Sequence, residues 1–302
     1  MALVHLADRA VIRAEGPDAE SLLQNVLTPD LTQLAEGEVR PGALLTPQGK
    51  VLFDFVISRA GPDAFRLDCR KDIAEEFLKR LTFLRVRAKV NFSLADQELV
   101  SACWQNDSST SDVDSTTGEI DSASSETDSA KLADRRFPDE VSVFRIYGPA
   151  AENEQVLAEW HRLRIEHGVP ESGLDYDLSD AFPHDILFDQ NGGTGLRKGC
   201  YVGQEVVSRM HHRGTARRRL VIVEAAAPLS ADERDIVADG KPVGQLGTVS
   251  GNQALAIVRI DRVAEAQASG IPVLAGETEL SFRLPAYAKF SLEGAVSEAG
   301  NH

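Results

Sequence analysis

The densest concentration of reactive and charged side chains in the 302-residue chain is RKGCYVGQEVVSRMHHRGTARRRL, residues 197–220. Gly199 lets the backbone turn, and the residues from Tyr201 to His211 suit a helix, which would put Cys200 at its N-terminal end. A thiol in that place feels the positive end of the helix macrodipole and has Arg197 and Lys198 beside it, and both effects favour the thiolate. A free cysteine is equally at home as a small buried apolar residue, and the spacing alone leaves both readings open. Arg213, Arg217, Arg218 and Arg219, with Arg209, His211 and His212, make the one strongly basic run of the chain. Such a cluster clamps carboxylates bidentately, although charge of this kind also suits a solvated strand edge.

The other cysteines, Cys69 in AFRLDC and Cys103 in ELVSACW, sit among apolar strand-forming neighbours, where a thiol is inert. Three widely spaced cysteines, with neither CxxC nor a Cys/His array, fit a reducing compartment and supply no complete metal site.

The elements that must position these residues divide the chain. LVHLADRAVIRAEG reads as strand, GPDAESLLQNVL as a helix opened by Pro17, TPQGKVLFDFVIS and AFRLDC as strands about a GPD turn, and KDIAEEFLKRLTFL as an amphipathic helix. KVNFSLA, ELVSACW and VSVFRIYG follow as strands, and PAAENEQVLAEWHRLRIEHG as a long helix ending at Gly168. The aperiodic stretch after it, VPESGLDYDLSDAFPHDILFDQNGGTGLRKG, is too long for an ordinary connection, and loops of that length are often functional. From Arg219 the pattern is all-β, with a DG turn signal at Asp239-Gly240 and a short helix near DRVAEAQAS. An α+β region over 1–218 and a small β-barrel over 219–302 are expected.

Between Gln105 and Asp134 eight carboxylates face a single Lys131, in a Ser/Thr/Asp-rich segment nearly free of large apolar residues. It cannot bury enough surface to offset its own ordering, so a disordered acidic insertion is expected at about 105–136. The formal net charge of −15 opposes a general nucleic-acid or anionic-membrane binder, since phosphate contact needs a basic footprint. The N-terminal residues lack a basic region followed by an apolar run, and no window approaches the roughly eighteen apolar residues of a membrane span. The expectation is a cytoplasmic protein without a membrane partner.

KGCYVGQE, followed by Val207-Ser208-Arg209 and Arg213-Gly214, resembles the signature of the YgfZ branch of the glycine-cleavage T-protein superfamily. GPDAESLLQNVLTPDL is similar to that family's first helix and turn, TPQGKVLFDF to its substrate-side strand, and RIEHGVP with FPHD to its pterin-side loop. RRRLV and the hairpin VGQLGTVSG continue the resemblance, which covers nearly all of the chain except the acidic insertion. It implies a cloverleaf of antiparallel sheets with packed helices plus a C-terminal β-barrel, binding tetrahydrofolate or a derivative. It further implies Cys200 as the working thiol, with Lys198 of the same motif, and Asp54, Glu166, Tyr201, Gln204 and Arg218 as cofactor-binding residues. Glu166 makes chemical sense there, because an acceptor-only carboxylate takes both the N–H and the amino group of a pterin edge. Without the resemblance, Glu166 would be a late-helix residue in solvent.

The function implied is an accessory factor in iron–sulfur protein maturation. Its partners would be A-type cluster carriers and iron–sulfur client enzymes such as radical tRNA thiolases, with Cys200 supplying one ligand to a shared cluster. The alternative is an aminomethyltransferase. The T-protein carries paired aspartates where this chain has Phe53 and Asp54, and the branch reads FPHE where this chain has FPHD, which shortens the reach of Asp185. A third class, a tRNA-binding module on the run from Arg209 to Arg219, is opposed by the acidity of the body.

Overall fold

The computed structural model of the chain describes residues 2–105, 130–149 and 154–292. The first half runs through β1 (Ala2–His5), β2 (Arg9–Glu15), α1 (Ala19–Val26), β3 (Glu38–Leu45), β4 (Val51–Gly61), β5 (Ala64–Arg70), α2 (Ala74–Leu84), β6 (Asn91–Leu94) and β7 (Val100–Trp104). Next come β8 (Ala130–Asp134), β9 (Val143–Tyr147), α3 (Glu154–His167) and α4 (Gln204–Arg213). The last part contains β10 (Arg218–Ala225), β11 (Asp235–Ala238), β12 (Lys241–Ser250), β13 (Gln253–Arg259), α5 (Ile260–Ala268), β14 (Val273–Ala275) and β15 (Thr278–Arg283).

Strands β1 to β9 form one sheet in the order β1-β7-β9-β8-β3-β4-β5-β2-β6. The segment expected as a single first strand is split by a turn at Ala7 and Asp8, and its halves pair in different parts of the sheet, β1 with β7 and β2 with β5 and β6. The expected antiparallel pairing holds through the sheet except between β3 and β8, which run parallel at Glu38 and Ala133. Alternation does the rest. In β9 the inward positions are Val143, Arg145 and Tyr147, and in α2 the inward face carries Ala74, Phe77 and Leu81. Phe77 stacks on Phe53 and Phe55 of β4, with ring centroids 4.9 and 5.5 Å away, and anchors the core of this half.

The acidic insertion lies outside the described residues over 106–129. Its expected end at 136 is corrected, because Ala130–Asp134 is strand β8, held by β3 on one side and β9 on the other. Composition concealed it: Asp134 counts as one more solvated acid in the sequence but is buried against Arg136.

Strands β10-β13-β12-β11-β14-β15 close into a six-stranded barrel, β15 pairing back on β10. The Asp239-Gly240 turn joins β11 to β12 with φ of 50° and 68°, the left-handed pair that a two-residue hairpin turn needs. Leu220, Ile222, Leu255 and Ile257 of the barrel share a core with Ile186, Phe188, Tyr201 and Val207, so the long aperiodic stretch is packed between sheet and barrel.

Candidate functional site

At the junction of sheet, α3 and barrel, four guanidinium groups and four carboxylates are buried together. Arg9 at the start of β2 donates to Asp68 of β5 through Nε at 2.6 Å. Arg145 of β9 lies between Asp68 (3.5 Å), Asp134 (3.3 Å) and Glu171 (3.7 Å), over the ring of Trp160. Arg136 holds Asp134 bidentately at 2.9 and 2.7 Å. Arg164 of α3 donates to Asp175 at 2.9 Å and to Thr248 of β12 at 3.0 Å, which fastens the barrel to the network. The local geometry that turns the chain from Arg164 to Glu171 is a left-handed Gly168 (φ 68°) closing α3, with Val169 N donating back to Arg164 O. A Cβ at Gly168 would meet Pro285 Cγ at 2.4 Å.

Glu171 is the least satisfied member. Among the described residues its Oε1 makes no hydrogen bond, and Nη1 and Nη2 of Arg145 and Nε of Arg164 are likewise without one. Burial would raise the Glu171 carboxyl, but Arg164, Arg9, Arg136 and Arg145 outweigh it and hold the group down at about 2. Asp134 is lowered too, against its burial, by Arg136 and Arg145. Both carboxylates therefore stabilise the fold fully above their ordinary range. As pH falls from about 4.5 towards 2, the unfolded chain binds the Glu171 proton first, and on the order of 3 kcal/mol is lost. Urea midpoints should drop steeply across that window in the wild type and less in Glu171→Gln; parallel slopes would contradict this.

Beside the network is a cleft of about 440 Å³ lined by Arg9, Arg70, Lys71, Glu171 and Ser172, within the range of small-molecule pockets. Asp54 of β4 lies beneath it. Its two oxygens accept from Ser172 Oγ at 2.6 Å and Tyr176 OH at 2.9 Å. Neighbouring Phe53 points the other way, into the aromatic core, as strand alternation requires.

The other expected site residues are dispersed. Glu166 is on the exposed face of α3, 3.5 Å from Arg162, and does not enter the network. Arg218 lines a second cleft of about 550 Å³ with Asp175, Tyr176 and Asp180, and pairs with Asp180 at 2.9 Å. Asp185 is buried 3.8 Å from Arg218, and burial pushes its carboxyl up to about 6 despite the Phe182 N–H and that arginine. The basic run is not a continuous surface: Arg209 pairs with Glu205, Arg218 with Asp180 and Arg219 with Asp189.

Lys198, Cys200 and Tyr201 stay together on one loop, with Gln204 opening α4 directly after it. Cys200 is exposed, whereas Cys69 and Cys103 are buried. The helix expected from Tyr201 begins only at Gln204, which is half-buried, so Cys200 lies four residues ahead of it and the macrodipole argument fails. The cause is Gly203, left-handed at φ 78° and pressed against Thr46–Gly49, where a Cβ would meet Thr46 O at 2.6 Å. Lys198 Nζ donates to Leu27 O and Pro29 O, both at 2.8 Å, and lies 5.2 Å from the centre of the buried Tyr201 ring. Burial lowers this ammonium to about 8 against the opposing pull of Asp30. Lys198 thus pins the loop carrying Cys200 to the end of α1. Burial pushes the Cys69 thiol up to about 12 and raises that of Cys103.

Missing from the sequence reading were Arg145, Arg164, Glu171 and Asp175. Two had a signal: Arg145 alternates with Val143 and Tyr147, and Arg164 stands one turn after Trp160 on the buried face of α3.

Comparison with known proteins gives the site a context. Residues 217–290 match the CAF17 C-terminal beta-barrel domain. The chain is 26% identical over 283 residues to the mitochondrial iron–sulfur cluster assembly factor IBA57 of Mus musculus, covering 85% of this chain and 77% of that protein. It is 28% identical over 251 residues to the mitochondrial IBA57 homolog of Coccidioides immitis, covering 73% of this chain but only 56% of the relative. Both relatives are named as mitochondrial, which overturns the cytoplasmic expectation. Among solved structures, the glycine cleavage system aminomethyltransferase T of Bartonella henselae superposes with a TM-score of 0.64 at 16% identity, over 93% of this chain and 84% of that one. The chain therefore has the fold of the glycine cleavage aminomethyltransferase T, ending in a closed barrel that matches the CAF17 C-terminal barrel domain.

Proposed function

We propose that the chain is an iron–sulfur cluster assembly factor that binds a reduced folate beside the buried arginine network and acts through Cys200. The similarity to proteins named as iron–sulfur cluster assembly factors supports the general role, with iron–sulfur proteins as its partners. The observation that carries the choice of Cys200 is its exposure, since the other two thiols are buried and held protonated by burial. One cysteine cannot hold a cluster but supplies one ligand to a cluster shared with a carrier protein.

The folate reading rests on the resemblance of KGCYVGQE and its companion segments to the YgfZ branch, and on the cleft. Glu171 Oε1 is a buried acceptor with no hydrogen bond among the described residues, suited to the N–H groups of a pterin edge. Arg70 and Lys71 at the same cleft suit the carboxylates of a glutamate tail. In this reading Glu171, not Glu166, meets the pterin. Calorimetric titration with tetrahydrofolate should saturate at one equivalent. Arg70→Glu should weaken binding by about 1.5–3 kcal/mol, and Glu166→Gln should leave it unchanged. No heat at high micromolar ligand would remove folate from the function, and a loss in Glu166→Gln would return the pterin to that residue.

Aminomethyl transfer is disfavoured by the site itself. The second carboxylate of the T-protein pair is here Phe53, buried in an aromatic stack, and both oxygens of Asp54 are taken by hydroxyl donors.

A further inference from the structure

Away from the cleft, His184, Asp189 and His211 place three donor atoms within 4.8 Å of one another. His184, in the aperiodic stretch, is 1% exposed, and neither of its ring nitrogens has a hydrogen-bond partner among the described residues. Burying an imidazole with both nitrogens unpaired is costly, and buried polar groups in folded proteins nearly always have a partner. His211 stands in the last turn of α4, exposed, its ring centre 6.2 Å from that of His184. Asp189 accepts from Arg219 Nη1 at 2.9 and 3.0 Å. A carboxylate offers about four lone-pair sites, so it can keep this arginine and bind a cation. Arg219 Nη1 also donates to the backbone oxygen of His184 at 2.8 Å, which fixes the main chain at one donor from the side of another.

We infer that His184, Asp189 and His211 form a binding site for one divalent transition-metal ion of the zinc or iron(II) type. Two imidazoles and one carboxylate are the donors such ions take, whereas magnesium and calcium prefer all-oxygen shells. Donor–metal distances of about 2.0–2.2 Å require the three groups to draw together, and the exposed His211 side chain has the freedom to do so. Three protein ligands leave coordination positions open towards solvent on the His211 side. The ion would join α4 to the stretch before it and, through Asp189 and Arg219, to β10. Because α4 directly follows the loop of Cys200, occupancy would stiffen the support of that loop. The site does not depend on folate binding or on the cysteine.

The test uses the full-length protein stripped of metal, with cobalt(II) as an absorbing probe and zinc(II) competed against a chromophoric chelator. One equivalent should bind, and zinc should raise the melting temperature. His211→Ala, on an exposed residue, should fold normally, weaken binding by at least about tenfold, and abolish the thermal shift. His212→Ala, whose ring lies 5.6 Å from His211 but which is outside the donor set, should bind like the wild type, as should Cys200→Ser. Wild-type binding no stronger than background, unchanged affinity in His211→Ala, or loss of binding in His212→Ala or Cys200→Ser would each overturn the site.

Discussion

Arg145→Met is expected to destabilise the protein by about 3–5 kcal/mol, because it breaks a buried ionic network by removing one partner and leaving the others. Arg145 is fully buried, and its guanidinium is shared among Asp68, Asp134 and Glu171. Without it, three buried carboxylates would face one another with Arg9, Arg136 and Arg164 as the remaining cations. Methionine restores some volume but none of the charge. Arg162→Met is the natural comparison: it removes an arginine from the exposed face of α3, where the pair with Glu166 is worth less than about 1 kcal/mol. Urea unfolding at neutral pH, with matched slopes, measures both. Equal losses would mean that the interior charges do not act as a network.

The network also shows where sequence reasoning runs out. Periodicity reports apolar faces, so it located α1, α2, α3 and most strands, and the sharp turn signals located the β11–β12 hairpin. A buried charge looks like a surface charge until its partner is known, and here the partners come from distant segments: Asp68 and Arg145, or Arg164 and Thr248. The same blindness hid β8, whose Asp134 read as part of an acidic loop. His184 and His211 are 27 positions apart in the chain, and nothing in their local patterns brings them together.

The loop of Cys200 was legible as a motif but not in its geometry. Its glycine is required by close packing against Thr46–Gly49, and that packing delays α4 to Gln204. Lys198, two residues before Cys200 in sequence, looked like an activating cation. It is instead bonded to the carbonyls of Leu27 and Pro29, so the loop is held firmly while the thiol stays in solvent. An exposed thiol, with the other two cysteines buried, is suited to meeting a partner's cluster. It is poorly suited to closing a metal site alone.

Cys200→Ser follows from this placement. Serine keeps the size and polarity of the side chain on an exposed loop, so the fold, the melting temperature and folate binding should be unaffected. It is a much poorer soft ligand for iron and a much weaker nucleophile near neutral pH. The direct test is complementation in cells depleted of their own assembly factor of this kind, read as the activity of iron–sulfur enzymes. Wild-type protein should restore that activity, and Cys200→Ser, expressed at the same level, should leave it near the depleted baseline. Full restoration by Cys200→Ser would contradict the assignment of the working thiol, and with it the proposal that this chain serves iron–sulfur assembly through Cys200.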